Sequence, residues 1–265
     1  MDADLRTRTA AFEQTVRSTL DLTADFEPEH WTLPTECPGW TVKDQLSHIV
    51  GVERFLLGDV VPEPVDAPHV RNDFGRLMES GVAARRDMPG PEVRAELAET
   101  LERRLAQLAE IDPDQQMFCP DGKMGDYRRF MMFRPFDCYV HEQDIRRAVG
   151  RPGNLDAPAA DLAWQILGTG LPFIVARRAK AEPGQSVTFQ ISGPPSRRRA
   201  VLVDADGRGR VADPSPDDPT VTLDLDWESY LRLAAGRCGP DAVSVEITGD
   251  ADLAGRVLSH MAVTP

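Results

Sequence analysis

Lysine is nearly missing from this 265-residue chain: three lysines stand beside 27 arginines, and 43 acidic residues outnumber both together, for a formal net charge of −13. That excess disfavours a general affinity for nucleic acid or anionic membrane, whose phosphates repel it. Cysteine is scarce as well. Cys37, Cys119, Cys138 and Cys238 show no C-x-x-C spacing, so neither a disulfide framework nor a zinc ribbon is indicated. No apolar run of about 18 residues is present, and Met1-Asp2-Ala3-Asp4 lacks the basic start and apolar stretch of a signal peptide. Phosphate-loop, nucleophilic-serine and dinucleotide glycine patterns are absent. The expectation is a soluble, cytosolic protein without nucleic-acid or membrane partners, a monomer or homodimer, large enough for one big domain or two modest ones.

Helical periodicity dominates the first ~150 residues. Leu5, Ala11, Phe12, Val16 and Leu20 stripe a helix over Asp4 to Thr23. Thr41 followed by Asp44 resembles a capping box opening a second helix to about Leu57. A third helical region runs over Val70 to Asp87, and Glu92 to Ile111 continues it or starts another. A loop is expected around Pro113, Pro120 and Gly122. Asp126 to Val149 is helical again, with Pro135 as a kink or late start. Gly150-Arg151-Pro152-Gly153-Asn154 then stops the helix, and the domain boundary is drawn there, 1–152 and 153–265. One helix is expected over Pro158 to Lys180. Strands follow at Ser186–Ile191, Ala200–Val203, Val221–Leu225 and Val243–Ile247, with helices at Trp227–Ala235 and Ala251–Met261. The fold class is α+β: a helical bundle followed by a small α+β domain.

The chemistry concentrates in the helix over Asp126 to Val149. With Asp137 at the origin of a helical wheel, His141 falls at about +40°, Asp144 at about −20° and Arg134 at about +60°, on the side of Phe130, Phe133, Val140 and Ile145. Two carboxylates, an imidazole and a guanidinium thus face the apolar side of a bundle, where unpaired charge costs several kcal/mol. They must pair with one another, bind a metal, or line a wet pocket. Asp137 and His141, at i and i+4, can converge on one ion, with a third ligand from a facing helix. His48 is the one histidine of five inside the second helix, about a third of a turn off its main stripe of Val42, Leu46, Ile49 and Glu53. A salt-bridged Asp/His/Arg core remains the competing reading.

Trp31, the run Cys37-Pro38-Gly39-Trp40-Thr41-Val42-Lys43-Asp44, His48, and Arg134-x-x-Asp137-x-x-x-His141-x-x-Asp144 resemble the mycothiol-dependent maleylpyruvate isomerase family. Toward the end of the chain, Leu231-x-Leu233-x-x-Gly236-Arg237 and Ile247-Thr248-Gly249-Asp250-x-x-Leu253-Ala254 resemble that family's C-terminal domain. The resemblance implies a DinB-like four-helix bundle followed by a sterol carrier protein-like domain. It also implies a divalent metal, usually zinc, held here by His48, Asp137 and His141, with mycothiol as cosubstrate. Asp137 departs from the family's Glu and shortens that arm by a methylene.

Coordination to a dication would turn a thiol, with an ordinary pKa near ~8.5, into a thiolate at neutral pH. Two histidines and one carboxylate leave an open position, as catalytic sites do. The implied activity is isomerase or S-transferase on a small electrophile. Arg134 is the candidate to bind a substrate anion, or else a partner for Asp144 or Glu53. Arg237 is a candidate second charge or a helix C-cap, and Asp144 is expected to orient His141 or pair with Arg134. Alternatives are a non-catalytic binder with a degenerate site, and a metal-dependent hydrolase on the same scaffold. Trp40 is expected to anchor a turn and Cys138 to be a packed thiol. His30, His69 and His260 are expected in solvent, as is Arg197-Arg198-Arg199 in a turn.

Overall fold

The computed structural model describes residues 2–59, 63–194 and 196–264. The chain divides into two compact units, Met1–Ala163 and Trp164–Pro265. The division falls inside a helix rather than at the Gly150–Asn154 stop signal.

The first unit is built on α1 (Ala3–Leu22), α2 (Val42–Leu56), α3 (Asp73–Ala83), α4 (Gly90–Glu110) and α5 (Tyr127–Ala148). Helices α1, α2, α4 and α5 pack as a four-helix bundle, α1 against α5 and α4, α2 against α4 and α5, while α3 lies along α2. Leu5, Phe12, Val16, Leu46, Ile49, Leu97, Leu101 and Ile145 fill the core. The start of α2 is set locally. The Asp44 carboxylate accepts from the Thr41 amide at 2.9 Å while the Thr41 hydroxyl accepts from the Asp44 amide, the reciprocal pairing of a capping box, which stabilises a helix end by about 1 kcal/mol. That cap fixes the register of every later residue on the helix, His48 included.

Pro135 does not start a helix. α5 begins at Tyr127, where Asp126 caps the Arg129 amide at 2.8 Å, and carries the proline inside it, so the Met131 carbonyl loses its usual helical donor. The segment expected as a loop is a hairpin, β1 (Gln116–Phe118) against β2 (Met124–Asp126), turned at Gly122 with φ of 79°. Strands of three residues carry too little alternation to be read from sequence.

The helix expected over Pro158 to Lys180 is broken. α6 (Pro158–Gly168) is followed by α7 (Leu171–Phe173) and a π-helical turn (Ile174–Arg178). The stretch Pro158–Arg178 is long and apolar enough to cross a membrane, with mean hydropathy 1.3. Yet Ala159, Ala160, Ala163, Leu167, Leu171, Ile174 and Val175 are buried within the protein, the pattern of a core element.

In the second unit, β3 (Ser186–Ser192), β4 (Arg197–Val203), β5 (Gly209–Ala212), β6 (Val221–Asp226) and β7 (Glu246–Gly249) form one sheet in the order β5-β4-β3-β6-β7. The central pair β3/β6 is parallel and the others antiparallel. Helices α8 (Trp227–Ala234) and α9 (Ala251–Leu258) are capped by Asp226 and Asp250. Two expectations fail here. β7 begins later than Val243, and Arg197-Arg198-Arg199 opens β4 instead of a turn. Arg197 and Arg199 project to one face of that strand, over Trp227 at 4.9 Å and Trp164 at 4.6 Å, where cation–π attraction and ring burial outweigh full hydration.

Candidate metal centre

Two helices of the bundle bring three ligating side chains together. One turn beyond the capping Asp44, α2 presents His48, and α5 presents Asp137 and His141 one turn apart. His48 Nε2 lies 3.1 Å from Asp137 Oδ2, and His141 Nε2 lies 3.5 Å from Asp137 Oδ1. The imidazole centroids are 4.6 Å apart, and one ligating atom from each residue falls within 4.8 Å of the other two. Tetrahedral bonds of about 2.1 Å separate neighbouring ligand atoms by about 3.4 Å, so these residues fit a dication with little movement. Both histidines are 5% exposed and the Asp137 side chain is 30% exposed, so the centre opens on the aspartate side.

A hydrogen-bond chain behind His141 selects its tautomer. The Thr35 hydroxyl donates to the Trp40 carbonyl at 2.9 Å and accepts from Gln45 Nε2 at 2.6 Å. Gln45 therefore turns its carbonyl oxygen toward His141 Nδ1, 2.5 Å away. With its proton on Nδ1 donated to Gln45, His141 turns an Nε2 lone pair toward Asp137 Oδ1, two acceptors that a cation between them would satisfy. His48 has no such support, since its Nδ1 is buried without a partner. Burial lowers the His48 pKa and so favours the neutral imidazole that a ligand needs.

Arg134 lies on the other side of Asp137. Its Nη1 donates to Asp137 Oδ2 at 2.8 Å, its Nε donates to Glu53 Oε1 at 2.7 Å, and the guanidinium is buried. Glu53 in turn accepts from Arg104 Nε at 2.7 Å, and Arg104 Nη2 donates to the Tyr127 hydroxyl at 3.0 Å. Two buried arginines thus balance two carboxylates. Burial alone would raise the Asp137 carboxyl, but attraction from the neighbouring His48, Arg134 and His141 outweighs it and holds the group well below the ordinary range. Burial pushes the Cys138 thiol up, consistent with a packed, protonated sulfur.

The three expected metal ligands are therefore together, and the other expected site residues make the following contacts. Arg134 spends its guanidinium on Glu53 and Asp137. Asp144 is buried, pairs with Arg147, and stands 3.6 Å from His141 Nδ1, where Gln45 is the nearer acceptor. Arg237 belongs to the second unit, where its Nη1 donates to the Ala235 carbonyl at 3.0 Å at the end of α8, the C-cap role.

Sequence reasoning missed Gln45 and the reach of Trp40. Gln45 stands three residues before His48, a helical neighbour on the same face, and that spacing was the available signal. Trp40 does more than anchor a turn: its ring lies 5.0 Å from the His48 ring and 5.7 Å from that of His141. His69, expected in solvent, is hydrogen-bonded to the buried Glu79 carboxylate at 2.9 Å. His30 accepts from the Glu27 amide and stacks on Phe26, whereas His260 is exposed as expected.

The model of the mycothiol maleylpyruvate isomerase N-terminal domain matches residues 12–146, 135 of the 265 residues, a span that includes His48, Asp137 and His141. The chain belongs to this family. Two crystal structures of the mycothiol-dependent maleylpyruvate isomerase, one of them a histidine-to-alanine mutant, share its fold. The mutant gives a TM-score of 0.56 at 16% identity, and the other 0.57 at 17%; each match covers 95% of this chain and 98% of the other. Among curated proteins none matches.

Proposed function

We propose that this family member is a metal-dependent enzyme that uses mycothiol or a related low-molecular-weight thiol. Its reaction would be isomerisation of, or S-transfer to, a small electrophile, as the name of the similar mycothiol-dependent maleylpyruvate isomerase suggests. The observation that carries this reading is the convergence of His48, Asp137 and His141 within 4.8 Å of one another at a partly open position of the bundle. Two imidazoles and a carboxylate suit zinc.

A dication held there would acidify a thiol that binds it, supplying a nucleophile at neutral pH. The chain's own residues do the rest. Gln45 keeps a lone pair on His141 Nε2, and Arg134 neutralises part of the Asp137 charge while leaving Oδ1 to face His141. Trp40 covers both imidazoles, and the exposed edge of Asp137 is the side from which thiol and electrophile approach. The cytosol, where small thiols stay reduced, suits this chemistry.

A second reading, a non-catalytic binder, draws on the same contacts: Asp137 Oδ2 already serves both His48 and Arg134. Metal analysis of protein purified without chelator or affinity-tag metal decides between them. The enzyme reading expects about one dication per chain, lost in His48→Ala and in His141→Ala while the helical circular dichroism survives; full retention by either variant refutes the ligand set. Mass spectrometry after incubation with mycothiol and maleylpyruvate then separates thiol-dependent isomerisation or thioether formation from hydrolysis without thiol.

A further inference from the structure

We propose that Glu79 is a positioning residue of the metal centre, its buried carboxylate fixing the Trp40 indole as a cover over the two ligand imidazoles. This rests on the reading that His48, Asp137 and His141 hold a dication.

Glu79 is 3% exposed on α3 and meets three donors from three segments. Its Oε2 accepts from Trp40 Nε1 at 2.8 Å and is bonded to His69 Nε2 at 2.9 Å, and its Oε1 accepts from Arg86 Nη2 at 2.8 Å. Burial alone would raise this carboxyl, yet the bonds from Trp40, His69 and Arg86 lower it, so an anion sits there. Its place is set by backbone packing. A Cβ on Gly51 of α2 would lie 2.9 Å from the Gly81 Cα of α3, closer than side chains tolerate, so α3 seats against α2 through two glycines. The turn before Trp40 is fixed in the same way. Gly39 has φ of 77°, and a Cβ there would stand 2.3 Å from His69 Nδ1, so the His69 ring lies on bare backbone. The loops carrying Trp40 and His69 and helix α3 thus meet at one carboxylate, and the ring it holds touches both proposed ligands. A bond that merely tied loops together would not require the indole to lie against both imidazoles.

The test uses Glu79→Gln and Trp40→Phe in the full chain. The protein has four tryptophans, so four indole N–H signals are expected in a proton–nitrogen spectrum, and Trp40→Phe identifies one. In Glu79→Gln that signal should move upfield and exchange faster with solvent while the others stay. Both variants should bind zinc about tenfold more weakly and change the visible spectrum of the cobalt(II)-loaded protein. An unmoved Trp40 signal in Glu79→Gln overturns the proposal, as do unchanged zinc affinity and cobalt spectrum in both variants. If Glu79→Gln does not fold, Trp40→Phe alone carries the metal test, since it leaves the His69 and Arg86 bonds to Glu79 in place. Wild-type protein that takes up neither metal refutes the underlying metal reading, a failure visible before any variant is made.

Discussion

Replacing Gln45 by leucine puts an apolar side chain of similar size in a fully buried position and removes the carbonyl oxygen 2.5 Å from His141 Nδ1. Two costs follow. The imidazole N–H loses its close acceptor away from water, about 1–3 kcal/mol. The tautomer is also released, and when the proton moves to Nε2 the lone pair facing Asp137 is gone. Loss of an outer hydrogen-bond partner of a metal-ligating histidine weakens binding about 10–100-fold, or about 1.4–2.8 kcal/mol, a range that overlaps the first. Competition with a chromophoric chelator at neutral pH measures the change, and nitrogen NMR of the His141 ring reports the tautomer directly. Asp144→Asn serves as the comparison, because Asp144 Oδ2 stands 3.6 Å from the same nitrogen, and it should cost less. Wild-type zinc affinity in Gln45→Leu, or a larger loss in Asp144→Asn, refutes the argument.

Glu53→Gln should cost about 3–5 kcal/mol, because it takes away the carboxylate charge that the buried guanidiniums of Arg104 and Arg134 share; calorimetry should show the melting temperature of the first unit falling by on the order of 10 °C. Asp137→Glu should hold zinc as well as or better than wild type, since it restores the length of the family's ligand, and looser binding would mean that the pocket is built around the shorter acid. Asp59 is held down from 3.8 to about 2 by hydrogen bonds first from Arg103 and then from Arg54. A depressed carboxyl stabilises the folded state above its unfolded pKa, so the stability advantage of wild type over Asp59→Asn should be full above about pH 4 and shrink as pH falls toward 2. Urea titrations across that range check it, and an advantage that grows on acidification contradicts the assignment.

Much of the candidate centre was legible because it lies on single helices. Asp137 and His141 are neighbours at i and i+4 whatever surrounds them, and the Thr41/Asp44 cap fixes the start of α2. His48 was harder to place. It lies off the stripe of Val42, Leu46, Ile49 and Glu53, and periodicity names one buried face, whereas α2 is packed by α3, α4 and α5 and buries Gln45 and His48 as well. A helix surrounded on three sides has no single stripe to read.

Local pattern in the chain was enough to set the bundle helices, the strands β3 and β6 and the pairing of Asp137 with His141 on one face of α5, since cap chemistry and side-chain period depend on near neighbours alone. Which charges meet depended on the packed structure. Arg134 turns to Glu53, 81 residues away, Gln45 to His141 across 96, and Trp40 to Glu79 across 39. Such bonds are settled by how the helices close on one another, because a buried donor takes whichever acceptor that closure brings within reach.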